Sequence, residues 1–294
     1  MNRNLTERIS KHPCYSSEAQ HQYARIHLPV APMCNISCNY CSRKFDCVNE
    51  SRPGVTSEVL TPEKALERFQ MVKKQLGNLT VVGIAGPGDA LANWQKTKKT
   101  LELIRQEDPD TTFCLSTNGL LLPELVGELA ELNLQHVTVT INSLDPKIGA
   151  KIYRRVNDHS RIYTGEEGAE LLIARQLQGV KELVNNGVLV KVNIVMMEGI
   201  NDHGIPEVVR KVKELGAFTT NIMPFIPAEG SRMANHPPTN THKIMNMRKQ
   251  CGAYLQQMSH CKQCRADAIG LLGQDCSAKF IEGRQKCSYQ KDVG

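Results

Sequence analysis

Short runs of apolar and β-branched residues recur along the chain, and longer stretches between them bring an apolar residue back every three or four positions. The short runs predict strands and the longer stretches predict amphipathic helices. The predicted strands are RIHLPVA (25–31), LTVVGIA (79–85), TTFCLST (111–117), HVTVTIN (136–142), VLVKVNIVM (188–196) and FTTNIMPF (218–225). The predicted helices span residues 61–76, 93–107, 122–133, 166–187 and 204–216.

This alternation predicts how the strands are connected. Six strand-then-helix units in succession favour parallel strands joined by right-handed crossovers. The strands are largely apolar, as strands buried on both faces are. We therefore predict an α/β fold, a partial (β/α)6 barrel of the TIM type, in preference to an open doubly wound sheet, although periodicity alone is compatible with both.

The pattern changes at both ends of the chain. Residues 1–24 precede the first strand, and after residue 230 the chain reads as a loop, one helix, a CKQC segment and a polar tail. We expect an N-terminal extension (1–24), a core barrel (25–230) and a C-terminal extension (231–294). Both extensions carry cysteine.

Composition narrows the class of protein. The 294 residues are 40% hydrophobic and 22% charged, as in ordinary globular proteins, and the net charge of +6 is spread along the chain. The sequence has no long basic run that would indicate a nucleic-acid partner. The N-terminus lacks the apolar core of a signal peptide, and no apolar run reaches the roughly 18 residues that span a bilayer. We expect a cytoplasmic protein without a membrane partner.

Eleven cysteines are informative in that setting, because reducing thiol pools disfavour disulfides and clustered cysteines more often bind metal. Cys34, Cys38 and Cys41 lie within eight residues. Their count and spacing favour a 4Fe–4S cluster with one iron lacking a protein thiolate, since zinc sites usually have four ligands. A zinc site completed by His27 or Cys47 stays open as an alternative.

Polar and glycine-rich segments follow several predicted strands. They are GPGDA (86–90), STNG (116–119), Asn142 and EGIND (198–202), and Thr138, Thr140 and Asn142 share one face of the fourth strand by the period of two. Chemistry in parallel α/β folds lies at the carboxyl ends of the strands. We therefore predict the site at this rim of the barrel.

The segment CNISCNYC (34–41) resembles the signature of the radical S-adenosylmethionine (SAM) superfamily, including the aromatic Tyr40 before the last cysteine. The resemblance implies a partial (β/α)6 barrel and a 4Fe–4S cluster on Cys34, Cys38 and Cys41. It also implies that the open iron binds the amino and carboxylate groups of SAM, and that reduction yields a 5'-deoxyadenosyl radical. By position, the SAM-binding residues would be Tyr40, Gly86, Gly88, Asp89, Ser116, Asn118, Thr140 and Asn142, with Asn193 or Ile194 near the adenine or ribose.

Two further segments, HPCYSSEAQHQYARIHLPVAPMCNISCNYC and CKQCRADAIGLLGQD, are similar to the NifB family of nitrogenase cofactor maturases, and the likeness runs roughly from residue 12 to residue 275. The resemblance implies two more 4Fe–4S clusters, K1 and K2, as substrates. They are fused around a carbide from the SAM methyl group, with an added sulfide, into an 8Fe–9S–C precursor. By position, K1 would be held by His27, Cys47 and Cys114, and K2 by Cys14, Cys261 and Cys264.

The same resemblance implies that one SAM donates a methyl group and a second supplies the radical. It also implies an iron–sulfur cluster donor and a carrier or scaffold protein that accepts the precursor. Some members have an additional C-terminal domain, and we expect a standalone form. Glu50 and Arg52 are either cavity groups or solvated loop charges, and Cys251, Cys276 and Cys287 have no assigned role.

Two other functions compete with this hypothesis. A radical SAM enzyme with an auxiliary cluster on CKQC could act on a small molecule or a peptide, although Cys14 and the CRADAIG continuation fit that class poorly. A non-enzymatic iron–sulfur carrier or zinc-binding regulator would need neither the barrel nor an open iron.

Overall fold

A computed structural model describes residues 3–42 and 52–281. The strands of this part of the chain are β1 (Ala24–His27), β2 (Ile36–Cys38), β3 (Leu79–Ile84), β4 (Thr112–Thr117), β5 (His136–Thr140), β6 (Tyr153–Asp158), β7 (Arg161–Tyr163), β8 (Leu189–Met196), β9 (Thr219–Pro224), β10 (Ile269–Leu271) and β11 (Gln274–Asp275). The helices are α1 (Arg3–Ser10), α2 (Pro62–Gln75), α3 (Trp94–Glu107), α4 (Leu122–Glu131), α5 (Pro146–Ile152), α6 (Gly165–Asn185), α7 (Ile205–Glu214) and α8 (Thr241–Gly252).

The main sheet has the order β11-β10-β1-β3-β4-β5-β8-β9. Its six central and distal strands, β1, β3, β4, β5, β8 and β9, are parallel and correspond to the six predicted strands. Spatial order follows chain order without the reversal that marks a doubly wound sheet. The predicted α/β fold with a partial barrel is confirmed.

Local sequence explains where the helices begin. The Thr61 hydroxyl accepts a hydrogen bond from the Lys64 amide and caps α2, with Pro62 in the first turn. Asn240 caps α8 in the same way through the amides of His242 and Lys243. The helices pack on the outer face of the sheet, where residues such as Val82, Leu115, Val139, Val192 and Ile222 are fully buried in one hydrophobic core.

The opposite, inner face of the sheet carries polar and titratable side chains. Strand register aligns Gly83, Cys114 and His136 in one row across β3, β4 and β5, and aligns Ser116, Thr138 and Lys191 in the next row. Because side chains alternate between faces, these residues all point away from the helices. The barrel interior is therefore the chemically active side.

The two ends of the chain complete the barrel. The Arg8 guanidinium of α1 donates to the carbonyls of Gln135 and Gly187, which lie just before β5 and β8. In the C-terminal segment, Met258 donates to the Thr220 carbonyl of β9, and β10 pairs with β1. The C-terminal segment thus contacts both β9 and β1, the last and the first parallel strands of the sheet. No helix in the described part of the chain is long and apolar enough to cross a membrane.

Candidate active site

The three clustered cysteines lie in a loop that follows β1 and is held by a small second sheet. β2 contains Cys38 and pairs antiparallel with β6, which in turn pairs with β7. The amide of Asn39 donates to the Ile152 carbonyl at 2.8 Å, and the amide of Asn157 donates to the Asn35 carbonyl at 2.8 Å. Cys34 and Cys38 are half-buried and Cys41 is exposed, so one thiol faces solvent and two face the fold.

The β3 loop packs against this cysteine loop at a position that only glycine can occupy. The Gly88 amide donates to the Ala31 carbonyl, and a Cβ on Gly88 would lie 2.1 Å from the Met33 carbonyl oxygen. Both Asp89 carboxylate oxygens accept hydrogen bonds from the chain, including the Asn118 amide at 2.6 Å and the Leu91 amide at 2.9 Å. Gly88 and Asp89 therefore join the loops after β1, β3 and β4.

Asn118 connects the end of β4 to the first cysteine. Its side-chain amide donates to the Asn35 side chain at 2.7 Å and contacts the Cys34 sulfur at 3.7 Å. Gly86, two residues before Gly88, has a φ of +133°, a conformation that favours glycine. The glycines and Asn118 that the sequence assigned to SAM thus lie directly beside the cysteine loop.

Tyr40 is tied to β5. The Asn142 side-chain amide donates to the Tyr40 hydroxyl at 3.3 Å, and its carbonyl oxygen accepts from the Val195 amide at 2.9 Å. Burial raises the pKa of Tyr40 well above its usual value, and the neighbouring Cys38 and Tyr153 add to the shift. Asn142 therefore aligns the cysteine loop, β5 and β8.

The remaining predicted SAM contacts separate into two groups. Ser116, Thr140 and Asn193 lie half-buried on the inner face, and Asn193 also accepts from the Asn221 side chain at 3.1 Å. Ile194 is fully buried in the hydrophobic core on the outer face of β8. The side chain of Asn193 therefore faces the barrel interior, whereas that of Ile194 packs in the core behind the strand.

The donor set of this loop fits an iron–sulfur cluster. Within residues 3–42 and 52–281, the group of three or more His, Cys, Asp or Glu whose ligand atoms all lie within 4.8 Å of one another is Glu124, Asp158 and His159, far from these thiols in sequence. Cys34, Cys38 and Cys41 are therefore not gathered around one ion-sized point. A cubane spreads its cysteines over separate irons, which suits this arrangement better than zinc.

His27, which the resemblance assigns to K1, has one ring nitrogen held by a backbone carbonyl. Its Nδ1 lies 2.8 Å from the Arg265 carbonyl, which fixes Nδ1 as the donor and leaves the Nε2 lone pair available. Gly83 leaves room for the ring, since a Cβ there would lie 2.8 Å from the His27 Cδ2. Burial, helped by Arg25, lowers the pKa of His27 to about 4, so the imidazole is neutral at pH 7.

Cys114 lies in the same row of the sheet as His27, two strands away, with Gly83 between them. Burial raises the pKa of the Cys114 thiol to about 12, and Lys191 opposes that shift. Cys47, the third residue assigned to K1, lies outside the described residues, as do Glu50 and Cys287.

Cys14, Cys261 and Cys264, assigned to K2, converge from the two ends of the chain. Burial raises the pKa of Cys14, Lys191 opposes the shift, and Cys264 and Cys261 add to it, so the three thiols lie within electrostatic reach of one another. His260 Nε2 lies 3.0 Å from the Pro13 carbonyl and ties the two segments together. The Arg25 guanidinium lies 3.2 Å from the Cys264 sulfur and also donates to the Gly270 and Leu271 carbonyls.

Sequence reasoning missed several inner-face groups. Lys191 is buried on the inner face, and the thiols assigned to K1 and K2 raise its pKa. The rings of His12, Tyr15 and His136 meet edge-to-face or tilted, with centroids 4.5–4.7 Å apart. Arg52 is only 8% exposed, so it is not a solvated loop charge. The available signal for His136 and Lys191 was the alternation of polar residues with apolar ones in β5 and in the middle of β8.

The structure describes two of the three unassigned cysteines. Cys251 is fully buried in the core against Met247, and Cys276 is half-buried with its sulfur 3.4 Å from the Ile269 carbonyl.

The family model described as the radical SAM superfamily matches residues 28–212. The chain belongs to the radical SAM superfamily. This membership confirms the class of enzyme inferred from CNISCNYC, and with it the cluster and SAM as the expected cofactors.

Individual relatives show which members of this superfamily the chain is similar to. The chain is 51% identical over 282 residues to "FeMo cofactor biosynthesis protein NifB" of Klebsiella pneumoniae, a match that covers 95% of this chain and 60% of that protein. It is 47% identical over 282 residues to the protein of the same name from Azotobacter vinelandii, covering 94% and 56% of the two chains. The chain thus spans somewhat more than half the length of these relatives.

Solved structures share the fold. Streptococcus suis SuiB bound to S-adenosylmethionine aligns with a TM-score of 0.57 at 15% identity, covering 87% of this chain and 53% of that one. Methylornithine synthase (PylB) aligns with a TM-score of 0.55 at 14% identity, covering 100% and 84%. At such low identity these likenesses establish the barrel alone.

Proposed function

We propose that this protein is a radical SAM enzyme of nitrogenase cofactor biosynthesis. It would fuse two 4Fe–4S substrate clusters, with a carbide from SAM and a sulfide, into an 8Fe–9S–C precursor. The observation that carries the proposal is the second set of thiols, Cys14, Cys261 and Cys264, which come from two chain segments joined by the contact of His260 with the Pro13 carbonyl. Cys261 and Cys264 act electrostatically on Cys14, and Cys14 acts on Cys114. The 51% identity to a protein named for FeMo cofactor biosynthesis supports the same function.

The cysteine loop would hold the resident cluster through Cys34, Cys38 and Cys41. When bound, that cluster and SAM would supply methyl transfer and one-electron cleavage of the sulfonium. The chain's own contribution is positioning: Asn118 orients Cys34, and Asn142 fixes Tyr40 against the loop. Gly86, Gly88, Ser116, Thr140 and Asn193 would surround the bound SAM.

The substrate sites would be built for release as well as for binding. His27 and Cys114, with Cys47, would hold K1, and Cys14, Cys261 and Cys264 would hold K2. Three ligands leave each cubane incompletely bound, and a neutral imidazole is a weaker ligand than a thiolate. Such sites suit clusters that arrive from a donor and leave, fused, to a carrier or scaffold protein.

The proposal is tested by anaerobic reconstitution with iron and sulfide, followed by SAM and dithionite. We expect S-adenosylhomocysteine and 5'-deoxyadenosine to form together, because carbide insertion needs both methyl transfer and hydrogen abstraction. Deoxyadenosine alone would indicate a radical SAM enzyme with another substrate, such as a small molecule or a peptide. Formation of neither product would indicate a metal-binding protein without this activity.

A variant locates the substrate site. Cys264→Ala should retain SAM binding, measured by equilibrium dialysis, because Cys264 is not one of the three thiols of the cysteine loop. It should lose formation of the fused precursor, measured by X-ray absorption spectroscopy of the extracted cluster. Unchanged precursor yield would refute the K2 assignment.

A further inference from the structure

One buried charge on the inner face has no carboxylate partner among residues 3–42 and 52–281. Lys191 lies in β8, aligned with Thr138 of β5 and Thr219 of β9, and only 6% of its surface is exposed. An isolated buried ammonium costs several kcal/mol unless it is paired. The partners of this charge therefore need to be identified.

Within the described residues, the contacts of the ammonium are unusually weak. Its hydrogen-bond partner is the Met258 thioether at 3.9 Å, and the Tyr15 ring centroid lies 5.4 Å from Nζ. No carboxylate of the described chain forms an ion pair with it. A thioether and an aromatic face do not compensate a buried cation as a carboxylate would.

The groups that do act on Lys191 are thiols. Burial lowers the pKa of Lys191, but Cys14, Cys114, Cys261 and Cys264 raise it, and the net shift is upward. Three of these cysteines belong to the K2 set and one to the K1 set. The geometry agrees with this: Tyr15, whose ring lies 5.4 Å from Nζ, directly follows Cys14, and Met258 lies three residues before Cys261. Cys114 lies in the row of the sheet next to that of Lys191, on the same inner face.

We propose that Lys191 is the shared counter-cation of the two substrate sites, a positioning residue that holds two anionic iron–sulfur clusters side by side. The inference rests on the proposed function. Each thiolate-bound cubane carries net negative charge, and two such clusters repel one another in a medium of low dielectric constant. A fixed ammonium between them offsets that repulsion, and the clusters in turn neutralise the ammonium.

The second buried cation of the region has a different role. Arg25 lies beside Cys264 alone among these thiols at hydrogen-bond distance, and two backbone carbonyls fix its guanidinium. Arg25 also acts electrostatically on Cys14 and His27, but its guanidinium is already held by the Cys264 sulfur and two carbonyls. Lys191 interacts with thiols from three segments of the chain and has no fixed oxygen partner among the described residues.

The test compares the full-length protein with Lys191→Met, Lys191→Arg and, as a control for general charge loss, Lys99→Met on the exposed side of α3. Each protein is reconstituted anaerobically with iron and sulfide. Iron per chain, the rate of iron release to a chelator and the reduction potentials from an EPR-monitored titration are measured, all without turnover.

We expect about 12 iron atoms per chain for the wild type and Lys99→Met, which corresponds to three cubanes. In Lys191→Met we expect the iron beyond the first cluster to be released at least about tenfold faster, because a buried charge interaction is lost. The remaining substrate-cluster potentials should move to more negative values, since a nearby cation favours the reduced state. Lys191→Arg should restore both properties in large part.

Folding of the cluster-free variant provides a second readout. Methionine fills similar volume without a charge, so cluster-free Lys191→Met should be at least as stable to heat as the wild type. Failure of that variant to fold would overturn the counter-cation role in favour of a structural one. If the wild type holds three clusters and Lys191→Met has the same release rates and potentials, this inference alone is overturned. If the wild type takes up a single cluster, the proposed function is overturned as well.

Discussion

The two groups of cysteines in this barrel are built in opposite ways. Cys34, Cys38 and Cys41 lie within eight residues, on a loop fixed by β2 and β6 and by contacts from Asn118 and Asn142. Cys14, Cys261 and Cys264 come from opposite ends of the chain and meet only because both ends close the barrel. The first group is local, and the second depends on the whole fold.

This difference matches what each group would have to do. Thiols on one short loop are gathered at little cost in chain entropy, and their support comes from the rigid rim of the barrel. Thiols on two terminal segments can separate when those segments move, without disturbing the loop. A permanent cofactor suits the local group, and a cluster that must enter and leave suits the assembled one.

The largest expected effect comes from a substitution in the local group alone. Cys38→Ala should reduce 5'-deoxyadenosine formation to below about one hundredth of the wild-type rate, because even residues that merely orient metal ligands cost 10- to 100-fold. The rate is measured by chromatography after reconstitution with SAM and dithionite. Iron bound by the assembled group should remain.

Cys251→Ala provides the matched control, because it removes a thiol that lies in the core against Met247. We expect that variant to retain cleavage of SAM. Normal turnover in Cys38→Ala would eliminate the cysteine signature as the basis of the chemistry.

The local group could be read from the sequence, and so could most of the barrel. All six parallel strands lie where the apolar runs predicted them, and the polar segments GPGDA and STNG lie at their carboxyl ends. β2 and the hairpin of β6 and β7 were not predicted. They are short, and β6 and β7 are largely exposed, so burial imposes no strong period on their sequence.

The assembled group needed the resemblance, since nothing local connects Cys14 with Cys264. Lys191 and Asn193 had a weaker signal, because they are polar residues at alternate positions of an otherwise apolar strand. That alternation places them on the inner face with Thr138 and Thr140, and places Ile194 in the core. Applied strictly, the period of two would have favoured Asn193 over Ile194.

A smaller effect should come from the contact between loops that holds the local group. Gly88→Ala would force a Cβ to within 2.1 Å of the Met33 carbonyl oxygen, so the β3 loop and the cysteine loop must separate. We expect a loss of stability of about 1–3 kcal/mol, as for other overpacked sites, measured by chemical denaturation, together with weaker SAM binding.

Gly127→Ala in α4 is the control for that substitution, since nothing lies within 4 Å of its Cβ position. Alanine there should be neutral or stabilising by up to about 1 kcal/mol, because it favours helix. Equal effects of the two substitutions would show that the loop contact is not what fixes the cysteines.

The smallest and most gradual effect should come from acid, and it should act on the assembled group first. Burial lowers the pKa of His136 to about 3 and of His27 to about 4, and it also lowers that of His12, whereas residues 28–42 contain no histidine. Between these values and the usual 6.5, the unfolded chain binds more protons than the folded one, so the stability that depends on these histidines is complete above about pH 6.5 and falls as the pH is lowered to about 3.

In the cluster-free protein, hydrogen exchange at pH 5 should therefore be faster than at pH 7, after correction for intrinsic rates. The increase should be larger in residues 10–16 and 258–265 than in residues 34–41. His136→Phe should weaken this dependence, because phenylalanine can keep the ring contacts with His12 and Tyr15 and has no group that takes up a proton. Equal acid sensitivity of the two cysteine groups would mean that they open together, and the division between a local and an assembled site would be lost.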